Sequence, residues 1–583
     1  MTLGSARPAT RIRRSLTRGF PKPEYFAALQ DSNEYFIGPD VPGVEPIPDA
    51  GFKDSDNKIK KQAARFRVYA FDKDSKPLGE IKRQDYSMKW TVHVCNKKAA
   101  WLNLRGRYEK ETWQLRNESV QGDQPLGMDP NYEYTNTRNK LIIDSGEQLI
   151  ESGKDHSVAL VGEFQGSLVS PIQVQLGELR TDESGRLLVL ASDGQSFSVN
   201  GAQELNSQYD NADWVDKMCD GSIRITVGSH SQPRLEFKSR NKATIIMAPP
   251  RFASGIHCAT SLYELIEDIY ERPRRGDGYD VGEVEYYRDI YPLFKRSYLL
   301  SWTNNYALGG HGSDSMDYFN NPDLSDPDAN GSARRAVFTR IRAPVIDGDK
   351  ENERLRDQQA KPYFMPLLSG DGALTYATPG ERNTWASLTQ LQYDRLKKWS
   401  QGSFTARRPG TFFESTEKVA LERELSDMTR SALEWSIGAP LYPGIEVDWA
   451  SQSSEMYNPE ARFRHAGTVM PGDLTKGLSL PWQSDFNLCD KDWCELFAGM
   501  SRDAVVTKPY FQNMQAVTSP EQLASKLTER RLWAEGIEPG TIQGCSDMVH
   551  KWTQLGFVAR KRYETTPDQL EILVERERSL PRP

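Results

Sequence analysis

The sequence of 583 residues has few cysteines and no long apolar stretch. A secreted disulfide framework concentrates many cysteines in a short chain, so a mostly reduced, intracellular protein is expected. No apolar run approaches the roughly eighteen residues that a membrane-spanning helix needs, and the first thirty residues lack an apolar signal core. We therefore expect a soluble, cytoplasmic protein without a membrane partner. The six cysteines are Cys95, Cys219, Cys258, Cys489, Cys494 and Cys545.

The sequence also lacks an excess of basic residues, with 74 Lys and Arg against 81 Asp and Glu. A nucleic-acid-binding protein usually has a basic excess or stripe, so no nucleic-acid partner is expected and a small-molecule partner is favoured. Residues 1–33 are an exception, because they have four arginines between Arg11 and Arg18 and no acidic residue before Glu24. We interpret this segment as a solvated basic tail of poorly assigned structure.

Residues 34–258 have the pattern of a β-rich domain. Short runs of β-branched and aromatic residues, such as Lys89–Val94 and Arg186–Ala191, lie between turn residues and predict strands. Their number favours a β-sandwich-like arrangement. Lysines in this region, including Lys97 and Lys98, are expected on exposed faces or edges.

Residues 259–564 change to a helical period and form a predicted helix-rich catalytic region with long loops. Residues 565–583 are highly charged and are expected to fray as a C-terminal tail. The whole chain is therefore predicted to have an α+β fold. The predicted helices are Ser261–Glu271, Tyr287–Trp302 with a break or kink at Pro292, Thr384–Gly402 ending at its glycine, and Ser415–Ile437.

Two segments carry candidate chemistry: Met470–Cys489, which reads MPGDLTKGLSLPWQSDFNLC, and Met548–Val558, which reads MVHKWTQLGFV. Asp485 precedes Cys489 by four residues, just after Pro481 and Trp482. If this part is helical, both side chains project from one face. Trp552 lies in an apolar stretch of the second segment.

These segments, with WTVHVCNKKAAW at Trp90–Trp101, resemble the quinoprotein amino-acid oxidases, which include L-lysine 6-oxidase and glycine oxidase. The resemblance extends through LGELRTDESGRLLVLA, ADWVDKMCDGS and PLYPGIEVDW, and spans most of the chain from Trp90 to Val558. The cofactor of that family is cysteine tryptophylquinone, which is made from a cysteine and a tryptophan of the protein itself.

The resemblance implies that Cys489 and Trp552 form this cross-linked cofactor. Asp485 matches the aspartate that the family needs for cofactor maturation, while Tyr209 and Tyr442 take positions in the substrate channel. The implied reaction is oxidative deamination of a primary amine with O2, with release of ammonia and hydrogen peroxide. A separate flavoprotein is implied as the maturation partner. The choice between lysine, glycine and another amine stays open, as does assembly into a homo-oligomer.

An alternative interpretation is a non-catalytic, β-rich binding or scaffold protein of the same fold. In that case Cys489, Cys494, Cys545 and His550 are the candidate ligands of a structural zinc ion. The leading interpretation assigns no metal ligand. It also treats His93, Cys95 and the lysines after them as a strand that ends in a basic turn.

Overall fold

A computed structural model provides the structure of the chain. It describes residues 25–28, 34–48, 50–74, 76–102, 115–120, 137–153, 156–230, 236–239, 241–254, 256, 260–276, 278–300, 321–341, 344, 388–407, 421–435, 451, 453–460, 462–484, 504–505, 531–538, 541–562 and 571–581.

The N-terminal half consists mainly of strands, as the sequence predicts. Its strands are β1 Tyr25–Ala28, β2 Tyr35–Ile37, β3 Lys61–Phe66, β4 Tyr69–Phe71, β5 Pro77–Glu80, β6 Tyr86–Asn96, β7 Ile143–Asp144, β8 Gln148–Glu151, β9 Val158–Phe164, β10 Ile172–Thr181, β11 Leu187–Ala191, β12 Phe197–Ser198, β13 Trp214–Val215, β14 Cys219–Ser229, β15 Glu236–Lys238 and β16 Ala243–Ala248.

Twelve of these strands belong to one mixed sheet. Its main path runs β7-β6-β14-β16-β1-β3-β11-β10-β9, with β8, β15 and β2 paired beside it. The two ends of the path meet, because Gly162 of β9 lies against the backbone of Asp144 in β7. The β-rich half that was predicted to be sandwich-like is thus built from a continuous sheet that curls back on itself. The α+β class is confirmed.

Strands β6 and β14 show why the sheet forms here. In β6, the buried residues Met88, Trp90, Val92 and Val94 alternate with more exposed ones, which is the period of a strand with one face on a core. This strand pairs with β14 along ten residues. Gly221 of β14 lies opposite Val94, where the two backbones approach closely.

The helices follow in the second half, as predicted. They are α1 Leu262–Glu271, α2 Tyr291–Leu300, α3 Pro322–Ser325, α4 Ser332–Phe338, α5 Gln390–Ser400, α6 Leu421–Glu434 and α7 Ile542–Lys551. Two antiparallel strand pairs complete the described part of the chain: β17 Ala504–Val505 with β18 Arg531–Leu532, and β19 Phe557–Arg562 with β20 Glu571–Arg576.

Local sequence explains where several helices begin and end. Ser261 and Thr389 start α1 and α5 through capping boxes, in which the cap and the third helical residue exchange hydrogen bonds. Gly402 has a left-handed φ of 84° shortly after α5, which is the predicted stop. A π-helical turn, Tyr286–Ile290, runs directly into α2, and Pro292 is the second residue of α2. The helix therefore changes from π to α beside the proline, which has no N–H to bond to the preceding turn.

Both predicted tails need correction. Tyr25–Ala28, inside the segment assigned to a basic tail, forms β1 and pairs in parallel with β16. Residues 571–576, inside the segment expected to fray, form β20 against β19. In each case pairing with another strand gives the backbone the hydrogen bonds that the local sequence does not indicate. Within the described ranges, no helix is both long and apolar enough to cross a bilayer.

The close approach at Gly221 generates a stability prediction. A Cβ at this position would lie 2.0 Å from the His93 carbonyl oxygen, so Gly221→Ala forces β6 and β14 apart. We expect a loss of about 3 kcal/mol in the free energy of unfolding, measured by chemical denaturation. Gly276→Ala is the matched control, because nothing lies within 4 Å of its added Cβ. Equal effects of the two substitutions would contradict this account.

Candidate functional site

Trp552 lies at the end of α7, where the helix tightens into a 3-10 turn, Trp552–Gln554. Its side chain is 2% exposed. The Nζ of Lys53 donates to the carbonyl oxygen of Thr553 at 2.8 Å, which ties this turn to the N-terminal half. The candidate cofactor tryptophan is therefore held inside the core.

Trp482 of the first motif packs against Trp552. The ring centroids are 5.1 Å apart and the planes meet at 76°, an edge-to-face contact. Residues 482–484 are helical, as expected for the segment that leads to Asp485. Cys545 of α7 donates its Sγ–H to the carbonyl oxygen of Ser484 at 3.6 Å. The two motifs, far apart in sequence, thus meet in the core.

A buried ion pair holds the backbone of the first motif. The Lys98 Nζ and an Asp216 carboxylate oxygen are 2.7 Å apart, and both side chains are 0% exposed. Lys98 also donates to the Ser479 carbonyl oxygen at 2.9 Å. Asp216 accepts from the backbone N–H of Trp482 at 3.0 Å, at the start of the helical segment. A carboxylate at this position satisfies a helix N–H that has no partner within the helix.

The loop around residues 203–211 contacts the first motif and α7, the helix that leads into the second motif. The Tyr209 carbonyl oxygen accepts from the Leu480 N–H at 2.8 Å, and Asn211 Nδ2 donates to the Leu480 carbonyl oxygen at 3.0 Å. On α7, Ser546 Oγ accepts from the Leu205 N–H at 3.0 Å. Tyr209, a predicted channel residue, is buried beside the motif.

Asp220 fixes the beginning of the same motif. Its carboxylate accepts from the Gly472 N–H at 2.9 Å, from the Thr475 N–H at 2.9 Å and from the Thr475 hydroxyl at 2.7 Å. Burial raises the pKa of Asp220 to about 6, although the hydrogen bonds from Thr475 oppose this rise. One carboxylate therefore anchors the loop that leads to Trp482.

Three predicted site residues, Asp485, Cys489 and Tyr442, lie outside the described residues. Asp485 directly follows Ser484, and Cys489 comes five residues after it. The cross-link between Cys489 and Trp552 stays a prediction.

The alternative zinc set is described only at Cys545 and His550, because Cys489 and Cys494 also lie outside the described residues. Cys545 is buried, whereas His550 is exposed and its Nε2 is 3.0 Å from the Gln203 carbonyl oxygen. Cys545 and His550 are five residues apart on this helix, which corresponds to a rotation of about 500° around the helix axis, or one full turn plus about 140°. Their side chains therefore point in directions roughly 140° apart. This geometry does not favour a shared ion.

Sequence reasoning missed the residues that position the motif. Lys98 was expected on an exposed face, but it is fully buried, because Asp216 neutralises its charge. The signal was in ADWVDKMCDGS, where Asp216 and Asp220 occur among buried apolar residues. Carboxylates are rarely buried without a partner. Two of them in an apolar segment therefore indicate basic groups or hydrogen-bond donors elsewhere in the chain.

The curled sheet, the helical second half and the convergence of the two motifs define a member of a known class. The family model for the L-lysine epsilon oxidase N-terminal region matches residues 26–239, and the model for the C-terminal domain matches residues 373–508. The chain belongs to the L-lysine epsilon oxidase family.

Individual relatives come from Marinomonas mediterranea. Its L-lysine 6-oxidase is 25% identical over 509 residues, which cover 75% of this chain and 64% of that enzyme, less than two thirds of its length. The crystal structure of the Schiff base intermediate of its L-Lys epsilon-oxidase with L-Lys matches with a TM-score of 0.66 at 20% identity, covering 95% of this chain and 94% of that one. Another structure, of the epsilon-lysine oxidase from the same organism, matches with a TM-score of 0.67 at 20% identity, covering 96% of this chain and 94% of that one. These structures establish the common fold.

The buried ion pair generates the second prediction. Asp216→Asn removes the carboxylate charge that faces the buried Lys98 ammonium, so the free energy of unfolding should fall by about 3 to 5 kcal/mol in chemical denaturation. The matched control is Glu147→Gln at the pair Arg224–Glu147, whose side chains are 48% and 58% exposed. This change should cost no more than about 0.5 kcal/mol. A loss below about 1 kcal/mol for Asp216→Asn would show that Lys98 has another counter-charge.

The raised pKa of Asp220 predicts a pH dependence. The folded state binds the Asp220 proton more tightly than the unfolded state does, so protonation stabilises the fold. This stabilisation is fully present below the ordinary pKa of 3.8 and is lost as pH rises through about 6. The shift corresponds to about 3 kcal/mol. The measurement compares the free energy of unfolding of the wild type and of Asp220→Asn from pH 4 to 7. The wild type should lose stability relative to the variant as pH rises, and parallel profiles would rule out the assignment.

Proposed function

We propose that this chain is an amino-acid oxidase that deaminates a primary amine with O2 through a cysteine tryptophylquinone formed from Cys489 and Trp552. The observation that carries the proposal is the contact between Trp482 and Trp552. It brings Trp482, seven residues before Cys489 in the sequence, onto the tryptophan that the cofactor requires. Family membership supports the same function.

The surroundings of Trp552 fit such a cofactor. A redox-active ring needs a fixed orientation and protection from bulk water. Trp552 has both, because it is nearly fully buried and packs edge-to-face on Trp482. Trp482 is itself fixed, since its Nε1 donates to the Gly194 carbonyl oxygen at 3.0 Å. The neighbouring Gln483 bonds to the same oxygen at 3.2 Å.

Asp485 is proposed as the base that assists maturation of the cofactor. It follows Ser484, whose carbonyl oxygen accepts a hydrogen bond from α7, the helix that ends at Trp552. The residue before Asp485 therefore contacts the helix that leads to the indole. General-base assistance requires that the carboxylate lie within hydrogen-bond reach of the ring.

When formed, the quinone supplies a carbonyl that reacts with primary amines and a two-electron acceptor, neither of which ordinary side chains provide. The overall reaction converts the amine, O2 and water into a carbonyl product, ammonia and hydrogen peroxide. The names of the relatives favour the side-chain amine of L-lysine as substrate, with glycine as the second candidate. Tyr209 and Tyr442 are proposed to line the route to the ring, and a flavoprotein is proposed as the maturation partner.

The test uses protein isolated from its native host. Tryptic mass spectrometry should find the peptides of Cys489 and Trp552 joined by a thioether, with two oxygens added to the indole. Peroxide release should then be measured with L-lysine, glycine and other amino acids. Cys489→Ser should abolish the cross-link, and peroxide release should fall by at least about a thousandfold, because the electron acceptor is lost.

Cys494→Ser is the matched control, since it removes a thiol five residues away and should leave the cross-link intact. Finding separate, unmodified Cys489 and Trp552 peptides in the native protein would contradict the oxidase proposal. That result would favour the binding or scaffold alternative. If the protein is cross-linked but releases no peroxide with any amino acid, the substrate belongs to another class of amine.

A further inference from the structure

Three potential ligand side chains meet on strands β6 and β7, outside the candidate quinone site. Cys95 and Asp144 lie opposite each other in the antiparallel register, and His93 precedes Cys95 by two residues. Residues with these relations project from the same face of a sheet. Val92 and Val94, which alternate with them, face the core. The cluster therefore lies on the face of β6 that points away from the core.

The distances are those of a nearly formed coordination sphere. His93 Nε2 is 2.6 Å from Asp144 Oδ1 and 3.7 Å from Cys95 Sγ. All three potential ligand atoms lie within 4.8 Å of one another. Ligands on a tetrahedral zinc ion, with bonds of 2.0 to 2.3 Å, are about 3.3 to 3.7 Å apart. An ion could replace the proton that His93 and Asp144 share. To make room for it, His93 Nε2 and Asp144 Oδ1 would have to move apart by less than about 1 Å.

We propose that His93, Cys95 and Asp144 bind a divalent metal ion of the zinc type, with a water molecule as the fourth ligand. An imidazole, a thiolate and a carboxylate are the donors that zinc prefers. Cys95 is buried, while the side chains of His93 and Asp144 are 25% and 49% exposed. The ion can therefore enter from solvent on the side of His93 and Asp144, and the fourth position can be filled by water from the same side.

The surrounding backbone holds the ligands in place. The Gly146 N–H donates to Asp144 Oδ1 at 2.7 Å, which orients the carboxylate in the way that outer-shell groups orient metal ligands. Gly162 of β9 lies against the Asp144 backbone. On the other side, a Cβ at Gly472 would be 3.0 Å from the Cβ of Cys95, so this loop encloses the thiol.

The charges around the cluster are compatible with a cation. Lys97, two residues beyond Cys95, has its Nζ 2.9 Å from Asp473 Oδ1 and is neutralised there. A bound cation would stabilise the thiolate form of Cys95 directly. The charges beside the cluster therefore do not oppose a metal ion.

The test measures metal binding to the untagged full chain after treatment with a chelator. Titration with Zn²⁺ should show one tight equivalent by calorimetry, and Co²⁺ should give a thiolate-to-cobalt charge-transfer band. The substitutions His93→Ala and Asp144→Asn should each weaken binding by at least about tenfold, because each removes one of three protein ligands. Cys95→Ala should remove the charge-transfer band.

Matched controls remove the same residue types elsewhere. Cys219→Ala removes a buried thiol of the neighbouring strand β14, and His230→Ala removes another exposed histidine. Both should bind the ion as the wild type does. Cys489→Ser should also bind normally, which separates this proposal from the proposed oxidase function. Melting curves report whether each variant folds. Because His93 and Asp144 are partly exposed, their variants decide the question even if Cys95→Ala does not fold.

Two outcomes would overturn the proposal. One is the absence of a tight equivalent and of a charge-transfer band in the wild-type chain. The other is binding that survives Cys95→Ala, His93→Ala and Asp144→Asn but is lost in Cys494→Ser. That second result would place the ion on the alternative ligand set at Cys489 and Cys494.

Discussion

The buried contact between Lys98 and Asp216 is the interaction on which the candidate site depends. A pair of opposite charges without solvent is costly unless every remaining donor and acceptor is satisfied. Here the satisfying partners are the Ser479 carbonyl oxygen and the Trp482 N–H. The hydrogen bonds that the two buried charges need thus hold the backbone of the motif in place. This backbone in turn positions Trp482 against Trp552.

Asp220 extends the same principle to the beginning of the motif. Both aspartates belong to or adjoin β14, which pairs with β6 along ten residues. Asp216, Asp220 and Lys98 therefore all project from a rigid pair of strands or their ends, and the loops that carry the motif lie against this support. Sites supported by regular elements are held more accurately than sites formed by loops alone.

Much of the fold could be predicted from local patterns. The strand at Lys89–Val94 and the helix stop at Gly402 are properties of a few neighbouring residues, and the structure confirms both predictions. The errors occurred where pairing with another strand decides. Strands β1 and β20 look like parts of charged tails until their pairing with β16 and β19 is known.

The sequence by itself determined the α+β class, the motif residues and the resemblance to the amino-acid oxidases, because these depend on short-range periodicity and on the order of particular residue types. Only the tertiary structure decided that Trp482 contacts Trp552, that Lys98 is buried by Asp216, and that His93 and Cys95 meet Asp144. The physical reason is that charge burial and ring contact are properties of pairs. Separation along the chain does not specify which residues become neighbours when the sheet closes.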